Sequence, residues 1–113
     1  MRNLRAAIAP LATALVLSAA SSAQADPVSE GHELVVLYCA GCHAVEATGD
    51  SPLALAPPFR ELHQRYDVEF LSEALVEGIV TAHPEMPAFE FAPEQAAAIV
   101  AYLKTFEAAS PAQ

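Results

Sequence analysis

The chain has 113 residues, fourteen acids against five lysines and arginines, a formal charge of −9 and 54% hydrophobic residues. This length bounds one small domain, and the acidic balance argues against nucleic acid as a partner and for a basic protein surface. The two cysteines, Cys39 and Cys42, lie three positions apart.

Arg2 and Arg5 open the chain, and an apolar stretch from Ala6 to Leu17 follows, interrupted by Pro10 and Thr13. Small and polar residues then lead to Ala23-Gln24-Ala25. This order predicts a cleaved signal peptide over residues 1–25 and a mature domain over 26–113. The apolar stretch is too short for a span, which needs about 20 apolar residues, so no stable membrane anchor is expected. Losing Arg2 and Arg5 leaves Arg60, Arg65 and Lys104 as the only lysine or arginine charges of the mature chain. A domain of this size gains from a staple or a cofactor at its centre.

Asp26-Pro27 reads as a helix start, with Asp as N-cap and Pro at the first helical position. Running to about Ala40, that helix places Gly31, Leu34, Val35, Tyr38 and Cys42 on one face. Residues 45–58 carry Gly49-Asp50-Ser51-Pro52 and Pro57-Pro58 and are predicted to be loop. A short helix is expected from Phe59 to Tyr66. Asp67 caps a further helix to Gly78, with Phe70, Leu71, Ala74 and Leu75 as its apolar face and Glu69, Glu73 and Glu77 opposite. Residues 79–92, with Pro84 and Pro87, read as loop. Pro93 opens the last helix, with Ala96, Ile99, Val100, Leu103 and Phe106 at helical spacing, and the chain frays from Ala109. Strand-type alternation is scarce, so the fold class is all-α.

Cys39-Ala40-Gly41-Cys42-His43 carries the chemistry. Two thiols at this spacing can add across the vinyl groups of a haem, and the adjacent imidazole then falls beneath the iron. A structural zinc site needs four ligands, and His32, His63 and His83 offer no second pair. A thioredoxin-like dithiol expects a strand before the motif, which the helical pattern does not provide. Haem c, one per chain and covalently attached through Cys39 and Cys42, is the expected cofactor, with His43 as proximal iron ligand.

With these residues in view, the chain resembles a class I cytochrome c from residue 26 onward. Gly31, eight positions before Cys39, corresponds to the small residue at which that family's first helix crosses its last. Ile99-Val100-Ala101-Tyr102-Leu103 resembles the family's C-terminal helix signature, and Ala56-Pro57-Pro58-Phe59 its Gly-Pro-x-Leu element. The chain departs from the pattern at Val35, where an aromatic is frequent, and carries Tyr38 beside Cys39 instead. The resemblance implies three to five helices wrapped around one haem, with the N- and C-terminal helices crossing. It implies a Pro57 carbonyl accepting from the proximal imidazole. His83-Pro84-Glu85-Met86-Pro87 resembles the family's Met-Pro ligand loop, which implies Met86 as distal iron ligand. His83 is the rival ligand, and otherwise a loop residue bonded to backbone or to a haem propionate.

Further expectations concern the surroundings. Arg60, Arg65, Tyr66 and Tyr102 are candidate propionate partners, Arg60 and Tyr66 foremost. Leu34, Phe59, Leu62, Leu71, Leu75, Phe89, Ile99 and Leu103 are expected to line the crevice, while His32 and His63 read as surface residues. The implied function is that of an exported, periplasmic electron carrier and not an enzyme, serving redox protein partners with a basic docking surface. A dedicated electron-transfer subunit of a dehydrogenase or oxidase is the alternative. A ligand-binding haem sensor and a haem-free thiol–disulfide enzyme stand further off.

Overall fold

The computed structural model describes residues 10, 14–16, 18–21, 23–79 and 84–110. Most of the expected leader, His83 and the last three residues lie outside them. The described residues form three α-helices and two 3₁₀ segments, with no strand among them. None of these helices is long and apolar enough to cross a membrane.

The first helix, α1, spans Pro27–Tyr38. The Asp26 carboxylate accepts from the Ser29 amide at 3.2 Å, and Pro27 needs no amide partner in the first turn. The helix closes two residues earlier than its periodicity suggests. The Cys39 and Ala40 amides both turn onto the Val35 carbonyl, at 2.9 and 3.0 Å.

The proline-rich stretch that follows is loop, and a 3₁₀ segment runs Phe59–Gln64 where a short helix is expected. Asp67 caps through the Glu69 amide at 2.9 Å, but the turn it starts, Val68–Phe70, is 3₁₀ before α2 continues over Leu71–Glu77. This changes the expected apolar face. A 3₁₀ turn superposes residues i and i+3, so Val68 and Leu71 share a face and Phe70 rotates outward. Val68 is 1% exposed and Phe70 76% exposed, so Phe70 does not belong to the core. Gly78 ends α2 at φ 96°, a left-handed conformation that glycine adopts without a Cβ clash.

The last helix, α3, spans Pro93–Ala109. Gln95 Oε1 accepts from the Ala92 amide at 3.1 Å, which satisfies the group just before the first turn. Ala96, Ile99, Val100, Tyr102 and Leu103 are buried along it, and Phe106 is half-buried. Helices α1 and α3 cross in direct contact, with Gly31 against the Ala98 carbonyl. One core results, built on Val35, Phe59, Leu62, Val68, Leu75, Phe91, Ile99 and Leu103. The fold is all-α, with the terminal helices crossing over it.

Candidate cofactor site

A cavity of about 420 Å³ opens beside this core, within the size range of about 300–1,000 Å³ typical of cofactor sites. Cys39, Cys42, His43, Pro57 and Met86 all border it. The first three arrive there through a single turn at the end of α1. The Cys42 and His43 amides both bond the Cys39 carbonyl, at 3.1 and 2.9 Å. Cys39 and Cys42 are not joined in a disulfide, and before any attachment burial pushes the Cys39 thiol up to about 11. A thioether has no charged form, so conversion of this thiol would remove that desolvation problem.

His43 Nδ1 lies 2.8 Å from the Pro57 carbonyl oxygen. A carbonyl only accepts, so Nδ1 carries a proton, and the tautomer this bond selects has its lone pair on Nε2. Pro57 and Pro58 hold the chain extended here, and the Phe59 amide anchors it to the Ala44 carbonyl at 2.9 Å. The Phe59 ring packs at 4.9 Å from the imidazole. Met86 is half-buried between Glu85 and Pro87 and faces the same cavity.

The apolar lining differs from expectation in one member. Phe59, Leu62, Leu71, Leu75, Phe89, Ile99 and Leu103 border the cavity, while Leu34 packs into the core from α1 instead. Leu53, Leu55, Ile79 and Phe91 also border it, and the sequence reading did not name them. Leu55 is 76% exposed, as a residue at a cavity mouth can be. Tyr38 fills the rim on the other side, edge-on to Phe89 and Phe91 at 5.8 and 5.4 Å.

The four candidate propionate partners separate in two pairs. Arg65 and Tyr66 border the cavity; Arg60 and Tyr102 do not. Arg60 donates to the Gly49 carbonyl at 2.8 Å and faces a second, shallower hollow. Tyr102 is buried and donates to the Val45 carbonyl. Burial raises the Tyr66 phenol above its ordinary value, and the Arg65 guanidinium offsets part of this. His32 pairs with Glu46 at 2.6 Å, and His63 with the Ser110 hydroxyl at 2.9 Å. Neither histidine borders the cavity.

An apolar cavity, two cysteines on its wall that no disulfide joins, and an imidazole whose Nε2 faces no protein partner among the described residues together fit a haem. A family model for cytochrome c matches residues 28–107. Cytochrome c-552 of Bradyrhizobium diazoefficiens is 35% identical over 88 residues, which cover 78% of this chain and 83% of that protein. No solved structure matches. The chain belongs to the cytochrome c family and carries covalently attached haem c.

Proposed function

We propose that this protein is an exported carrier of single electrons. In this reading Cys39 and Cys42 would hold the haem through two thioethers, and His43 and Met86 would be the protein ligands of its iron. The observation that carries it is the placement of His43 and Met86 on one apolar cavity, with His43 oriented by Pro57. With both His43 and Met86 as ligands, the chain would leave no iron position open to a substrate, which suits a carrier of charge.

Haem c supplies a one-electron iron couple when bound. The hydrogen bond from His43 Nδ1 to Pro57 fixes the ring plane and strengthens Nε2 as a donor. As a ligand, the soft Met86 thioether would favour the reduced state and raise the potential relative to a second imidazole. The Leu62, Leu71, Leu75, Ile99 and Leu103 side chains line the cavity and would keep water from a bound iron. Outer-sphere transfer would use the open edge of the cavity near Leu53 and Leu55.

The basic, apolar and small-residue order of residues 1–25 supports export to the periplasm, where haem attachment takes place. Loss of this leader makes the charge still more negative than −9. Such a surface steers encounter with a basic redox partner, and the association rate should fall as salt rises.

The test is the absorption spectrum of the purified protein in both oxidation states, with Met86→Ala beside it. The reading expects c-type bands that survive denaturation, and a weak long-wavelength band in the oxidised protein that Met86→Ala abolishes. Carbon monoxide should bind the reduced variant and not the wild type. Absence of that band from the wild type would remove Met86 as ligand.

A further inference from the structure

Residues 43–46 are held one by one. His43 Nδ1 donates to the Pro57 carbonyl at 2.8 Å, and the Ala44 amide donates to the Ser51 hydroxyl at 3.0 Å. The Phe59 amide donates to the Ala44 carbonyl at 2.9 Å. The buried Tyr102 phenol donates to the Val45 carbonyl, and Glu46 meets His32 Nε2 at 2.6 Å. The first three bonds lie within residues 43–59, and the His43 amide adds a bond to the Cys39 carbonyl at the very end of α1, so these alone do not register the far side of that loop against the crossed helices. The last two reach out of it, to α3 and to α1.

We infer that Tyr102 and His32 are positioning residues for His43, acting through Val45 and Glu46 to register its loop against the crossed helices. The inference rests on the reading of His43 as iron ligand. His32 follows Gly31, and Tyr102 lies one turn beyond Ala98, so both stand at the point where α1 and α3 touch. Their rings are 5.1 Å apart. The close crossing that Gly31 permits is what brings both within reach of the same strip of chain. Tyr102 Cβ lies only 3.0 Å from where a Gly31 Cβ would stand.

The arrangement suits a ligand that must not move between oxidation states. A buried carbonyl such as that of Val45 needs a donor, and among the described residues Tyr102 supplies it. Burial pushes the Tyr102 phenol up to about 12, with the Glu46 carboxylate adding to the effect, so it stays a donor at any ordinary pH. The His32–Glu46 pair is solvent-exposed and tethers more weakly.

The test compares Tyr102→Phe, His32→Gln and Ser110→Ala as oxidised holoproteins, by the paramagnetically shifted proton resonances of the haem methyls and the axial imidazole. Those shifts report the orientation of the ligand ring and do not respond to stability alone. Tyr102→Phe should displace the methyl pattern, and His32→Gln should displace it in the same sense by less. Ser110→Ala, which also removes a hydrogen bond from the end of α3, should leave the pattern of the wild type. Wild-type patterns in both Tyr102→Phe and His32→Gln would overturn the inference. If Tyr102→Phe does not accumulate as folded protein, His32→Gln and Glu46→Gln decide, and wild-type patterns in both again overturn it. A wild-type spectrum without a shifted His43 imidazole would instead sink the ligand assignment beneath it.

Discussion

Gly31 and Ala98 meet backbone to backbone. A Cβ on Gly31 would overlap the Ala98 carbonyl oxygen and stand 2.6 Å from its carbon. Helix propensity alone would favour Ala over Gly by about 1 kcal/mol. The overlap is with backbone, which cannot rotate away, so α1 and α3 must separate. Gly31→Ala is expected to destabilise by about 1–3 kcal/mol net of the propensity gain. Urea denaturation of the holoprotein measures it, and a stabilised variant would contradict the crossing.

Val68 and Phe70 test the turn that precedes α2. The larger side chain is the one outside, so volume alone predicts the wrong order of effects. Val68→Ala should cost about 1–3 kcal/mol, from lost burial and an unfilled space. Phe70→Ala should stay within about 0.5 kcal/mol of the wild type. Paired denaturation curves decide between this register and a continuous α-helix from Asp67.

Tyr102 gives an alkaline dependence of known sign. Its phenol ionises near its ordinary value of 10.0 in the unfolded chain but only at about 12 in the fold. Across that interval the folded state holds the extra proton, so stability is complete below about pH 10 and declines as pH rises through about 12. Comparing wild type and Tyr102→Phe by denaturation at about pH 9 and about pH 11 isolates this share of the slope. The two proteins should converge at the higher pH.

His63 depends on the far end of α3. Ser110 donates its hydroxyl to the Phe106 carbonyl at 3.0 Å, so it accepts from His63 Nε2. His63 Nδ1 is buried without a partner among the described residues. Ser110→Ala therefore leaves the ring with no hydrogen bond at either nitrogen and should cost about 0.5–1.5 kcal/mol. Ser110→Thr, which keeps the hydroxyl, should recover most of that loss.

Local signals were legible where one residue type has one physical use. Asp26-Pro27 and Pro93 mark helix starts because proline lacks an amide and has a preset φ. Gly78 marks a helix end because its φ is positive. The signal failed at Phe70, since the choice between 3₁₀ and α turns depends on what packs against them. It failed again among the candidate propionate partners. Arg60 and Arg65 are five residues apart on one segment, and the sequence says nothing about which of them the Gly49 carbonyl engages.

The sequence by itself determined the fold class, the family and the cofactor, because thiols three apart beside an imidazole are a covalent arrangement that needs no long-range contact to be recognised. It also carried the helix faces, which repeat at short range. Only the tertiary structure decided which side chains share the cavity, that Tyr102 serves Val45 and not the cavity, and that Leu34 packs against the core instead of lining the cavity. Those outcomes are set where α1, α3 and the loop of residues 45–58 meet, and contacts between segments so far apart in the chain leave no local pattern.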